Sequence, residues 1–357
     1  MARYPGSETE RRFPAETLQG VVAAVFRACG MLEVDAGLLA DTLVQADLRG
    51  VHSHGVMRVP NYVTRLTTGG VDPRGRPRVV KDRVAALVVD GGNSMGQIGG
   101  AFAMRRAIER ARDTGVAFAA VGGSNHCGAM DYYARLAVAE GMIGIAATNA
   151  LPTMAPWGGI DRIVGLNPIA IGIPAGLEPP IVLDTALGAT ARGRIEVYQQ
   201  KGQPIPEGWA FDAEGRPTTD PAEALDGLIR PIGAYKGIGL ALCMGILSTV
   251  LSGAGYGTES GNLDDGPIAG ADGHFFAALN VAAFEDAARF RSRVDAIVRQ
   301  YNATRLAPGV ERVYTPGALE AEIEARHRAE GVPLNEETIA GIVHAAERLG
   351  ADTSALG

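Results

Sequence analysis

The sequence predicts a mixed α/β protein that lacks the Rossmann cofactor fold, and three observations carry this. Segments with helical periodicity alternate with short apolar runs bounded by glycine and proline. The 357 residues are 46% hydrophobic, enough to bury a large core in one big domain or in two or three packed lobes. No GxGxxG stands between a strand and a helix with an acidic residue about 20 positions later, as a Rossmann site requires. The run GAGYGTESG has the glycines but follows a helix, and reads as a flexible loop.

From Pro14 to Gly50 apolar residues recur at helical spacing (Leu18, Val21, Val22, Val25, then Leu38, Leu39, Leu43, Val44), with a break near Gly30. Asp35 is the expected N-cap of the second helix. The hairpin leads into RGVHSHGVMRVPNYV. GGVDPRGRPRVV then reads as a connection, which sets a lobe boundary near residue 75, and ALVVDGG as a strand ending in a turn. Residues 100–113 form a helix, VAFAAVGG a buried strand, and DYYARLAVAEG a helix closed by Gly141. IGIAATNA and PIVLDTA are further strands, separated by the Pro/Gly-punctuated run LPTMAPWGGIDRIVGLNPIAIGIPAG. GIGLALCMGILSTVL, from Gly237 to Leu251, is too short to span a bilayer and reads as a core or subunit-interface helix. The loop GAGYGTESGNLDDGPIAGADG, the strand HFFAALNV, an amphipathic helix over 284–303 and a helical tail after Pro316 complete the chain.

The formal charge of -7, with both signs interspersed, gives no footprint for nucleic acid or for an anionic membrane. An anionic cofactor or substrate must then be met by a few placed cations and backbone N–H groups. Cys29, Cys127 and Cys243 form no CxxC pair, so they read as free thiols rather than as a disulfide framework or a thiolate zinc site. The polar start MARYPGSETERRF has no apolar targeting core, and a cytoplasmic location is expected.

Two constellations carry chemistry. In Val51-His52-Ser53-His54-Gly55, followed by Arg58 and Tyr62, an extended chain would put His52 and His54 on one face, as two metal ligands; a turn would separate them. Ser53, His54, Arg58 and Tyr62 supply a hydroxyl, a proton donor, a carboxylate fork and a phenol, a minimal kit for a 2-substituted acid. A structural role for the HxH pair competes evenly. The second constellation, Gly122-Gly123-Ser124-Asn125-His126-Cys127-Gly128-Ala129, joins a strand to a helix, where small residues let backbone N–H groups approach a phosphate or a ring. His126 sits at that junction, with a structural turn histidine as the alternative. Asp184 suits a ribose hydroxyl or a cap, and Lys236 a cofactor phosphate or amide or merely a helix start. Walker A, GxSxG and HExxH patterns are absent.

Taken in order, SHGVMRVPNYV, SNHCGAMDYY, TNA, MAPWGG, LNPIAIGIP, VLDTA, PEGWAFDAEGRPTTDP and YKGIGLAL resemble the malate/L-lactate dehydrogenase family of NAD(P)-dependent oxidoreductases, over about residues 40 to 320. The resemblance implies a non-Rossmann fold. It has a cofactor lobe around a mostly antiparallel sheet (76–305) and a helical lobe built from both termini (1–75 with 306–357). A homodimer with shared active sites is also implied. By the same resemblance Ser53 and His54 are the catalytic serine and histidine, Arg58 the carboxylate binder, and His126 a second histidine that shares the acid/base role. His126, Cys127, Gly128, Ala129 and Met130 would line the cofactor, NAD or NADP, together with Asp184, Thr185, Ala186, Lys236, Gly237, Pro316 and Gly317. No metal is implied.

The chain departs from the family pattern at Leu166, where GTNP carries a threonine, and at Ala186-Leu187-Gly188, where members have ATS after the aspartate. Arg194 replaces an aspartate typical of imine-reducing members, and Ala318 ends a PGA turn in place of PGE. Leu166, near the substrate, therefore belongs among the candidate specificity residues. The expected function is hydride transfer between NAD(P) and C2 of a small 2-oxo or 2-hydroxy acid. The alternatives are a metal-dependent hydrolase or lyase using His52, His54 and His126, and a non-catalytic binder of nicotinamide or a small acid.

Overall fold

The computed structural model describes residues 10–260 and 270–357. The polar start of the chain and the middle of the 253–273 loop lie outside the described residues. Helices α1 (Ala15–Ala28), α2 (Glu33–Leu48) and α3 (Val59–Thr67) pack with α10 (Ala318–Glu330) and α11 (Glu336–Glu347) from the other end of the chain. Strand β1 (Arg11–Phe13) pairs antiparallel with β14 (Val332–Leu334), so the two ends share hydrogen bonds as well as a core. Leu18, Phe26, Leu39, Leu43, Val59, Tyr62 and Ile342 meet in that core. The 3.6-residue spacing turns them to one side of each helix, and each contributes about 1.5–3 kcal/mol on burial.

The hairpin break falls at Gly30, which takes a φ of 93°. Asp35 is not the cap expected of it. Leu32 is extended and α2 starts at Glu33, so Asp35 lies within the first turn, buried and paired to Arg76 at 2.9 Å. Its charge still faces the positive helix end from there.

A seven-stranded sheet forms the second layer. Its order is β2 (Arg78–Arg83), β3 (Ala86–Asp90), β4 (Val116–Ser124), β13 (Asp272–Leu279), β5 (Ile143–Thr148), β8 (Ile169–Ile173), β9 (Ile181–Thr185). Every neighbour pair is antiparallel except β3 and β4, which α4 (Gly96–Thr114) connects as a parallel crossover. The strand β2 had read as a connection; its exposed arginines and lysine give an edge strand no apolar alternation to reveal it.

Helices α4 and α5 (Asp131–Ala139) cover one face of the sheet over Ala119, Val121, Ala146 and Phe276. On the opposite face Phe118, Ala277, Ile145, Ile171 and Leu183 form one cross-strand row. Helix α8 (Tyr235–Ser248) lies over part of this face, and Phe118 and Leu183 stay 42% and 37% exposed. Helix α9 (Ala287–Asn302) is tied on by Asp295, whose carboxylate accepts the N–H groups of Gly176, Leu177 and Glu178.

A smaller unit gathers β6 (Pro152–Met154), β7 (Val164–Gly165), α6 (Arg192–Gln200), β10 (Ala210–Phe211), β11 (Pro217–Thr218), α7 (Pro221–Asp226) and β12 (Leu228–Ile229). Met154, Val164, Leu187, Ile195 and Ile229 are its core.

Candidate active site

The first constellation is shaped by a residue that sequence reasoning passed over. Asp47, at the end of α2, is 1% exposed and accepts the Val56 N–H at 2.7 Å while its other oxygen meets His52 Nδ1 at 2.7 Å. These two grips fold His52–His54 and Val56–Arg58 into successive single 3-10 turns. Gly55 lies so close to the Asp47 carboxylate that any Cβ would overlap it. The turn separates the two histidines. His52 is drawn to Asp47 and towards His327, whereas His54 bonds Ser53 Oγ through Nδ1 at 2.9 Å and stacks on His126, with centroids 5.8 Å apart at 15°. Among the described residues no group of three His, Cys, Asp or Glu is placed to hold a metal ion.

The second constellation is held by Asn125. Its amide donates to Asn93 Oδ1 and Ser94 O, and its oxygen accepts from Arg65 at 2.8 Å and from Gly270 N–H at 3.0 Å. The first turn of α4 presses against this segment, because a Cβ on Gly96 would strike the Asn125 carbonyl. His126 thereby comes within 2.7 Å of the Tyr62 hydroxyl, which also accepts from Gln97 Nε2 at 2.9 Å. Of the expected cofactor-lining run, Cys127 and Met130 turn their side chains into the core, and His126, Gly128 and Ala129 stay partly open. Behind them His274 bonds Ser124 Oγ and Thr148 Oγ1, both at 2.8 Å. A histidine inside an apolar strand gave no sequence signal of this.

Tyr62, expected to touch substrate, is wholly buried, and its hydroxyl is occupied by His126 and Gln97. The packing of α3 turns it inward, onto His126 and Gln97. Arg58 is half-buried; its Nε donates to Ser53 O at 2.7 Å. Among the described residues it has no carboxylate within ion-pair distance.

Burial, and then the Arg58 charge, hold His54 down to about 4. Burial, His54 and Arg58 hold His126 well below its ordinary value. Both rings are neutral at neutral pH. His52 behaves oppositely: burial lowers it, but the bond to Asp47 and that carboxylate's charge prevail and raise it.

The other expected residues line up along the end of β9. Asp184 accepts the Asp131 N–H at 2.8 Å, which sets it beside the His126–Met130 turn. Two residues earlier Val182 N–H donates to Pro316 O, next to Gly317. Beyond Thr185 and Ala186, the backbone of Leu187 bonds Leu166 and Ile232, which leads to the exposed Lys236 and to Gly237 in the first turn of α8. Leu166 is half-buried against the small unit's core, and Leu187 is fully buried there. Arg49, also unforeseen, pairs with Asp131 at 2.8 Å and Glu324 at 3.0 Å, joining the terminal helices to the start of α5.

Residues 13–343 match the family model for malate/L-lactate dehydrogenase. The chain belongs to the malate/L-lactate dehydrogenase family. It is 36% identical over 351 residues to a malate dehydrogenase of Pyrococcus horikoshii, covering 96% of each chain. It is 38% identical over 321 residues to an L-sulfolactate dehydrogenase of Methanocaldococcus jannaschii, covering 90% of this chain and 92% of that one. The crystal structure of a malate dehydrogenase from Entamoeba histolytica superposes with a TM-score of 0.92 at 32% identity, over 96% of this chain and 99% of the other. The mixed α/β fold with its mostly antiparallel sheet is the fold of this family, and the chain is a 2-hydroxy acid dehydrogenase. No helix among the described residues is long and apolar enough to cross a membrane.

Proposed function

We propose that the chain transfers a hydride between NAD(P) and C2 of a small 2-oxo or 2-hydroxy acid, with Arg58 holding the carboxylate and the His54–His126 pair handling the oxygen-borne proton. The observation that carries this is Arg58, half-buried and without a carboxylate partner among the described residues, beside two stacked neutral histidines. With Nε anchored on Ser53, the two Nη atoms are left to meet both oxygens of a carboxylate. In oxidation the C2 hydroxyl proton passes to a neutral histidine as the hydride leaves C2; in reduction both steps reverse. The arriving carboxylate offsets the Arg58 charge, one of the causes that keep both rings neutral, and so favours the protonated ring that reduction needs.

The residues along β9 suit a nicotinamide dinucleotide: the solvent-facing Asp184 carboxylate for hydroxyls, and the exposed Lys236 ammonium for an anionic group. When bound, this cofactor supplies the hydride acceptor or donor. Gly128, Ala129, Thr185, Ala186, Pro316 and Gly317 form the backbone of the same wall, where Cys127 and Met130 contribute main chain alone. Relatives carry both NAD(+) and NADP(+) in their names, and the reading covers either.

Malate and sulfolactate, named in relatives, both bear a second anionic group beyond C2; Leu166 is the residue we assign to discrimination there. The metal-dependent reading requires His52, His54 and His126 around one centre, and the turn at Gly55 sends His52 elsewhere. A cytoplasmic location accords with three free cysteines.

The same reading includes a homodimer. One sheet face presents Phe118, Ile145, Ile171 and Leu183, α8 adds exposed Leu240, Leu242 and Ile246 beside it, and the turn after α8 adds Val250 and Leu251. An apolar face continuous over sheet and helix is wider than scattered surface residues require, and a second copy offers a matching face by two-fold symmetry.

Fluorescence titration with NADH and NADPH, followed by assays across 2-oxo and 2-hydroxy acids, tests the function. Tight binding of one nucleotide and turnover of an acid with a second anionic group are expected. Nucleotide binding without turnover across the panel would instead make this a non-catalytic relative.

A further inference from the structure

We propose that Tyr62 and Gln97 lock His126 in the tautomer that carries its proton on Nε2, so that His126 is a fixed hydrogen-bond donor and His54 alone exchanges the proton with substrate. The division of labour rests on the dehydrogenase reading above. The tautomer itself does not.

One hydrogen decides the tautomer. Tyr62 is 0% exposed, and its hydroxyl has two partners, Gln97 Nε2 at 2.9 Å and His126 Nδ1 at 2.7 Å. The Gln97 amide can only donate, so the phenol accepts there and has a single hydrogen left to place. The acceptor within reach is His126 Nδ1. If that nitrogen carried a proton instead, the phenol hydrogen would be sealed in protein with no acceptor.

Turning the Gln97 amide over would reverse the chain of donors. As it stands, the Gln97 oxygen is buried with no partner. The reversed amide would bury an unpartnered NH₂ with two donors in its place, and orphaned N–H groups are the rarer and costlier case. The observed orientation is therefore favoured. With Nδ1 accepting, the neutral ring bears its proton on Nε2, and Nε2 has no hydrogen-bond partner among the described residues and is not sealed.

His54 is built differently. Its Nδ1 faces Ser53 Oγ at 2.9 Å, and Ser53 is partly open to solvent. A serine hydroxyl rotates, donating to Nδ1 or accepting from it, so His54 changes tautomer or charge without stranding a donor. The phenol of Tyr62, pinned by Gln97, cannot follow such a change. Two stacked histidines 5.8 Å apart thus have unequal freedom. The groups facing His126 are His54, Arg58, His274 and Tyr62; burial, and then a positive charge on His54, Arg58 or His274, opposes its protonation, and with Arg58 charged and both other rings neutral this leaves the neutral donor form.

The test begins on the wild-type protein without cofactor or substrate. Two-bond nitrogen–proton correlation spectra of histidine-labelled protein identify the protonated nitrogen, with the His126 signal assigned by its loss in His126→Asn. A proton on Nε2 is expected at neutral pH, and a proton on Nδ1 overturns the proposal. Tyr62→Phe should give a mixture of tautomers and lower kcat about tenfold with KM little changed, the loss of one hydrogen bond. An unaltered tautomer in folded Tyr62→Phe overturns it. Gln97→Glu offers Tyr62 an acceptor in place of a donor, so the His126 proton should move towards Nδ1; an unaltered tautomer in the folded variant overturns the role given to Gln97.

In kinetics, His54→Asn should abolish the acid limb of kcat/KM, whereas His126→Asn lowers the rate and keeps that limb. The opposite pattern overturns the division of labour. Absence of any nucleotide-dependent turnover in the wild type would sink the dehydrogenase reading while leaving the spectroscopic result to stand on its own.

Discussion

Replacing Asp47 should damage stability and activity together, although Asp47 touches no substrate. In Asp47→Ala the Val56 N–H, bonded at 2.7 Å to a carboxylate that is 1% exposed, is left buried without an acceptor. That costs about 1–3 kcal/mol, and the lost charge-assisted bond to His52 about 1.5–3 kcal/mol more, so about 2.5–6 kcal/mol is expected. Asp47→Asn separates shape from charge. Its oxygen still accepts from Val56 and its NH₂ still donates to a neutral His52, so the loss should be about 1 kcal/mol.

The turn carrying His54 and Arg58 hangs on these bonds, and a shift of about 1 Å in such groups lowers turnover about a hundredfold. Urea unfolding, amide exchange at Val56 and kcat/KM measure the three consequences. The reasoning fails if Asp47→Ala is within about 1 kcal/mol of wild type in stability, retains Val56 protection and keeps full activity.

Arg58→Lys keeps the charge but loses the two-pronged fork, and KM for the acid should rise more than about tenfold with nucleotide affinity unchanged. His54→Asn and His126→Asn should each depress turnover while nucleotide binding persists; full activity in both would refute the assignment. His274 is fully buried and held at about 4, so below pH 6.5 the unfolded chain takes up a proton that the native state refuses. Stability should fall by about 3 kcal/mol between pH 6.5 and 4 on this account, and His274→Gln should flatten that slope in urea titrations. His52 has the opposite sign. Its raised value adds stability that is complete below pH 6.5 and lost as pH climbs through the folded-state value, so the deficit of His52→Gln should be largest in acid. Phe118→Asp places a charge in the open sheet face, and sedimentation should report a monomer; an unchanged dimer would move the interface elsewhere.

By itself the sequence determined the elements with strong periodicity and the absence of a Rossmann site. The helices α1, α2, α4 and α5 and the strands β3, β4, β5, β9 and β13 were legible because burial imposes a period that side chains record locally. It was mute where pairing rather than period makes the element. The edge strand β2 has no apolar face, and β14 has three residues that are strands only because β1 lies beside them. Short motifs likewise singled out His54, Arg58 and His126, which the fold brings together.

Only the tertiary structure decided what those side chains can do. Asp47, Gln97 and Arg49 look like ordinary helix residues in sequence, and their roles come from bonds to Val56, Tyr62 and Asp131 that chain spacing does not encode. The same folding turned Tyr62 inward to His126 and drew His52 away to Asp47. Hydrogen bonds are satisfied in three dimensions, and a buried donor takes whichever acceptor the packing brings within reach.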